Sequence, residues 1–195
     1  GAPANIVGSA DFWTVGARQA GGFGDISYRG EFYYQTGKSN LGGDLDAFMI
    51  GLRAGYTAKN VAMKPSFTLW YDYLSGSSAS DLAQGDQGDF RTLFDTGHKY
   101  YGLMDLFLGG PTSNGPTHPV GGLVDYAAKA SIQPMANTTF KADLHHFELA
   151  EDNGGSTTLG QEIDLTLVHK CSASTTMSVG YSHFFARELL SSYNG

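Results

Sequence analysis

The sequence holds a single cysteine, Cys171, in 195 residues. An intrachain disulfide framework and a cysteine-based metal site are therefore excluded. Charge is also scarce: Asp, Glu, Lys and Arg make up 16% of the chain, against roughly 25% in an average soluble domain. No apolar run approaches the roughly 20 residues that a spanning helix needs. A basic surplus is missing too, since the formal net charge is -7, and this argues against blanket nucleic-acid binding. The first residues, GAPANIVGSA, carry neither a basic segment nor a long apolar one, so no secretory signal is expected there. For an exported protein, that points to a mature form or an internal piece.

What the chain does have is glycine, 27 residues, together with 11 Tyr and 12 Phe. Glycine-rich, aromatic-rich and charge-poor composition favours strands joined by tight turns. Residues 159–170, LGQEIDLTLVHK, show the dominant pattern. Ile163, Leu165 and Leu167 alternate with Glu162, Asp164 and Thr166, with Lys170 in the same polar phase. A two-residue period puts the two sets on opposite faces of a strand. A soluble sheet would turn the apolar set onto a core. A membrane barrel would turn it to lipid and the charges to a watery lumen.

The same alternation predicts about nine strands. They cover roughly residues 9–19, 23–36, 45–57, 62–74, 100–108, 120–133, 138–149, 159–170 and 175–187. Ile26, Tyr28, Gly30, Phe32 and Tyr34 share a face against Asp25, Ser27, Arg29, Glu31, Tyr33 and Gln35. Several strands run ten to fourteen residues, where globular strands run about five or six and tilted membrane strands about nine to eleven. Short turns at 20–22, 58–61 and 172–174 alternate with longer loops at 37–43, 75–99 and 151–158, as in outer-membrane barrels. Aromatic residues near strand ends (Phe12, Trp13, Phe32, Tyr33, Tyr34, Trp70, Tyr71, Tyr73, Phe184, Phe185) fit interfacial girdles. The fold expected is all-β, an antiparallel transmembrane β-barrel formed by one domain over residues 1–195.

Four lines, FDTGHKYYGLMDLFLGG (94–110), HPVGGLVDYAAKASIQP (118–134), FKADLHHFELAE (140–151) and LGQEIDLTL (159–167), carry a family resemblance. With the aromatic strands 23–36 and 45–57 and GYSHFFA (180–186), they resemble the C-terminal half of the alginate export family of bacterial outer-membrane β-barrels. The resemblance implies a larger barrel than nine strands. The chain is then expected to be partial, lacking N-terminal strands and a closing C-terminal strand, because it ends in LLSSYNG rather than in an aromatic residue. It also implies an export channel for an anionic polysaccharide or related anionic solute, in contact with the lipid bilayer of the bacterial outer membrane and supplied by periplasmic secretion partners.

In such a barrel the lumen face carries Arg18, Arg29, Arg53, Lys64, Lys129 and Lys141. It also carries Glu31, Asp125, Asp143, Glu162 and Asp164, with Asp25 and Asp72. Arg grips a carboxylate bidentately and Lys offers a mobile point charge, and basic rings favour anions. The acids would pair with these bases, and a structural salt-bridge lattice explains any one of them equally well.

Other chemistries are poorly supported. His98, His145, His146 and His169 lack zinc spacing, and adjacent His145 and His146 point to opposite faces of a strand. Asp81, Asp86 and Asp89 lack the calcium-loop spacing, and a solvated loop explains them better. There is no G-x-S-x-G nucleophile elbow, and Ser178 or Ser182 beside His183 is only a strand neighbourhood, so no enzyme is expected. GGFG (21–24) sits at a turn, which excludes a phosphate loop. Neither a cofactor nor a metal is required. Two alternatives stay open: a structural or adhesive barrel binding through loops 75–99 and 109–119, and a soluble lipocalin-like barrel with an apolar interior.

Overall fold

The computed structural model describes residues 11–39, 42–93, 97–107, 121–152 and 155–187. Eight strands form one sheet in chain order: β1 (Asp11–Phe23), β2 (Ile26–Lys38), β3 (Asp44–Thr57), β4 (Ser66–Leu74), β5 (Leu123–Met135), β6 (Thr138–Glu148), β7 (Thr158–Lys170) and β8 (Thr176–Ala186). Every neighbouring pair is antiparallel. The one helix described, α1 (Ala79–Gln84), lies between β4 and β5. Among the described residues β1 and β8 do not pair with each other. No helix among them is long and apolar enough to cross a membrane, which says nothing about strands.

Strands of 9 to 14 residues match the span that a tilted membrane strand requires, about 9–11 residues. The two faces are inverted relative to a soluble sheet. On β7, Glu162 and Asp164 are almost fully buried, while Leu167 on the opposite phase is 45% exposed. The same holds across the sheet: Phe32, Leu52, Leu69, Leu144, Val179 and Tyr181 are about half exposed or more, whereas Gln35, Arg53, Asp72, Asp125 and His145 are buried. Full burial of each large apolar side chain would be worth about 1.5–3 kcal/mol. Presenting a whole face of them to water forgoes that gain many times over, and presenting them to lipid does not.

One end of the charged face is closed over by the β4–β5 connection. Leu45, Leu74, Phe90, Tyr101, Phe107, Leu123, Phe147 and Leu159 form an apolar cluster there, with Phe12, Tyr33 and Phe184 packed against it. The connection is tied down by Gln35. Its side-chain amide donates to the Arg91 carbonyl (2.7 Å) and its carbonyl oxygen accepts from the Arg91 amide (2.9 Å). On this side the β4–β5 connection (75–122) is long and β6–β7 covers 149–157, but β2–β3 (39–43) is shorter than β3–β4 (58–65) on the opposite side, so the short-long alternation expected from the sequence holds only in part.

Several expectations need correction. Residues 100–107 do not form a strand, and 108 lies outside the described residues, so the described sheet has eight strands rather than about nine. Over 97–107 the chain turns repeatedly, with positive φ at His98, Tyr101 and Asp105, a conformation a strand cannot hold. The first turn falls at Gly24–Asp25 rather than 20–22, so β1 continues to Phe23. Asp25 therefore sits in a turn, 3.6 Å from the Lys59 ammonium, and not on the lumen wall. The fourth strand begins at Ser66 rather than 62. Pro65 has no N–H to give a ladder, and Met63 and Lys64 have positive φ, which places Lys64 in an exposed turn away from the charged face. Of the aromatic residues assigned to girdles, Phe12, Tyr33, Trp70 and Phe184 face inward. Loop 109–119 and the tail 189–195 lie outside the described residues.

Candidate functional site: the charged inner wall

Register aligns the inward residues in rows across the sheet. One row runs Arg29, Arg53, Trp70, Ala127, His145 and Glu162 from β2 to β7. The next runs Glu31, Gly51, Asp72, Asp125 and Phe147. A third runs Thr68, Lys129, Asp143, Asp164 and Ser182. A two-residue period in the sequence thus becomes a lattice of charge in the structure.

Nearly every base in it has an acid. Arg53 donates to Asp72 at 2.6 Å, and both side chains are almost wholly buried. Arg29 lies 2.9 Å from Glu31, and Arg18 lies 4.0 Å from the same carboxylate on the more exposed edge strand. Lys129 donates to Asp143 at 2.8 Å and stands 3.1 Å from His145 Nε2. His145 Nδ1 is 2.9 Å from Asp125. With its proton on Nδ1, His145 donates to Asp125 and accepts from Lys129, so one neutral tautomer satisfies both contacts. Gly51 leaves room for this arrangement, since a side chain there would strike Glu31 and approach Asp72.

Among the described residues no base pairs with Glu162 or Asp164. Their partners come from the β4–β5 connection: the Met104 amide donates to Glu162 (2.9 Å) and the Leu103 amide to Asp164 (3.2 Å). Gly102 lets the backbone come this close. Its φ of 86° suits glycine, and a Cβ there would run into the Glu162 carboxylate. Tyr101, just before it, is buried. Burial, with the Asp72 and Asp125 carboxylates nearby, holds its phenol well above the usual range. Residues 100–107 therefore lie across the charged wall.

The sequence places Arg18, Arg29, Arg53, Lys129 and Lys141 on this face, with Glu31, Asp72, Asp125, Asp143, Glu162 and Asp164, and the strand register puts them all there. Lys141 is exposed towards the short-turn end. Only Lys64 and Asp25 fall outside. His145 and His146 do face opposite ways: His146 pairs with Glu148 at 3.0 Å on the outer side. The loop acids do not converge. Asp81 caps α1, Asp86 accepts from the Asp44 amide, and Asp89 accepts from Ser77.

Alternation along the fourth strand puts Trp70 in phase with Thr68 and Asp72, opposite Leu69 and Tyr71, and the structure keeps it on that polar face. Its indole has the Arg53 guanidinium 3.9 Å from the ring centroid, Lys129 at 4.4 Å and Arg29 at 6.0 Å, a convergence from three strands that no single stretch of sequence encodes.

A single sheet with charge inside and apolar side chains outside fits a pore wall, and the alginate export family model matches residues 4–193. The chain belongs to the alginate export family. No curated protein matches it. Its described inner face carries carboxylates as well as bases, and Arg18, Arg29, Arg53 and Lys129 each have an acid within 4.0 Å.

Proposed function

We propose that this alginate export family member forms a wall of an outer-membrane channel that exports an anionic polysaccharide of the alginate type. The observation that carries this reading is the inverted sheet, with apolar residues outward and an ionic lattice inward. Passage needs no chemical step and no cofactor. The polymer moves along weak sites, each a base that trades contact with its wall acid for contact with a substrate carboxylate. A periplasmic supplier of polymer and the lipid bilayer are the partners this requires.

Residues 100–107 occupy the path, so export requires them to move. Backbone hydrogen bonds to Glu162 and Asp164 and the packing of Tyr101 and Phe107 are the contacts such a movement would release.

The test is the full-length protein in a planar bilayer with a salt gradient across it. The expected result is discrete conductance steps with a reversal potential displaced towards the anion. Absence of conductance from folded protein refutes the channel, and cation selectivity refutes the anionic cargo. Adding oligouronate to one chamber should block the current transiently, and a neutral oligosaccharide should not.

A further inference from the structure

We propose that Trp70 is a positioning residue, which holds Arg29, Arg53 and Lys129 as a fan of cations at one height of the wall, where they meet the carboxylates of a uronate polymer. This rests on the channel reading above and names the residue that organises its binding groups.

Arg29 and Arg53 are direct cross-strand partners on the same face, an arrangement that like charges resist. Each has a carboxylate on one side, Glu31 and Asp72 respectively. On the other side each meets the same indole. Lys129 approaches that ring from β5, held also by Asp143 and His145. The negative face of an indole attracts cations, so one neutral ring lets three positive groups converge where a fourth carboxylate would cancel them. The ring is not left over for stacking a sugar, because Arg53 and Lys129 already lie within 4.4 Å of its centroid.

The three cations are not equivalent. Arg53 is buried and anchors the fan from beneath. The side chains of Arg29 and Lys129 are each 17% exposed and can be reached from the lumen. Arg29 Nη2 lies 2.9 Å from Glu31, and its guanidinium has the fork geometry that a carboxylate accepts.

Trp13, exposed on edge strand β1, is the other tryptophan of the two in these 195 residues, so W13F leaves Trp70 as their sole indole. The 195-residue chain in detergent is titrated with tetramannuronate, and with mannotetraose as the uncharged control, by calorimetry and by emission. W70L should weaken tetramannuronate binding about ten-fold, while W70F, which keeps an aromatic face, should stay within about three-fold of the parent. Heat-dependent gel mobility checks that both variants fold. W70L binding as tightly as the parent overturns the proposal, as does equal loss in W70L and W70F, which would mark a packing role only. Should W70L fail to fold, W13F decides alone: Trp70 emission must change saturably with tetramannuronate and not with mannotetraose, and no change overturns it. Conductance is scored separately. A protein that conducts but is indifferent to W70L refutes the role of Trp70 alone, and one that binds as expected but never conducts refutes the channel alone.

Discussion

Replacing Arg53 by Met should be among the most damaging single changes in the wall, and Asp72→Asn should rescue it. In the native structure Arg53 donates to Asp72 at 2.6 Å, with the two side chains 6% and 1% exposed. The partner acid has no other relief. Its Oδ1 has no hydrogen-bond partner, and Asp125, also fully buried, stands directly across on β5. Removing the guanidinium thus leaves an uncompensated buried carboxylate, which costs about 3–5 kcal/mol. The lost contact with Trp70 falls within that range. Asp72→Asn in the R53M background removes the charge while keeping the shape, and should recover at least half of the loss. The assay is reversible urea unfolding in lipid vesicles, run as a double-mutant cycle. A loss below about 1 kcal/mol in R53M, or a double variant no more stable than R53M, would refute the idea that this pair is a buried ionic unit.

The remaining predictions probe the two faces and the β4–β5 connection. Leu144, 54% exposed near the middle of β6, should not tolerate Arg if it faces lipid: about 2–4 kcal/mol at the midplane, against within about 0.5 kcal/mol at an ordinary wet surface, measured by the same unfolding assay. Gly102→Val should push residues 100–107 off Glu162 and raise single-channel conductance; unchanged conductance would mean that this segment does not limit the path. Ser78→Ala removes the side chain that caps α1 and should cost about 0.5–2 kcal/mol of local stability, seen as faster amide exchange over 79–84. Hydrogen bonds from the Ser78 hydroxyl and amide hold the Asp81 carboxyl below its usual range. Its contribution to that helix end is therefore present above the unfolded carboxyl pKa of about 3.9 and lost as pH falls through the lowered value, so exchange over 79–84 should quicken selectively in acid.

The faces were legible because a strand leaves no choice: once residues 159–170 alternate, Glu162 and Asp164 must share a side. Glycine, proline and turn chemistry are less strict, and the misplacements sit there. Phe23 extends β1 because the tight turn needs only Gly24 and Asp25, and the run Ala20-Gly21-Gly22, turn-like in composition, pairs instead with residues 27–29 of β2. Pro65 marked the right place, but the strand starts after it. Residues 100–107 are expected to form a strand and do not: Phe107 packs against Phe147 and Phe184 across the sheet, a long-range contact that no local period encodes. The short helix was marked by Ser78 and Asp81 at capping-box spacing, inside what composition made look like plain loop.

The balance of charge bears on how such a wall could pass a polyanion at all. Its described inner face sets Arg18, Arg29, Arg53, Lys129 and Lys141 against Glu31, Asp72, Asp125, Asp143, Glu162 and Asp164. A purely basic wall would hold a polyuronate by many contacts at once, and release would be slow. Here Arg18, Arg29 and Lys129 each keep an acid within 4.0 Å, so on the channel reading a substrate carboxylate would exchange for one already present and the net gain at each step would be small. Small gains in series are what allow a long polymer to enter and still leave. Glu162 and Asp164 extend the same logic to the covering segment. Their carboxyl oxygens accept from the amides of Leu103 and Met104, and a substrate carboxylate offers those amides the same acceptor chemistry. If the proposed cargo passes here, residues 100–107 would exchange wall acid for it without leaving their backbone donors unsatisfied.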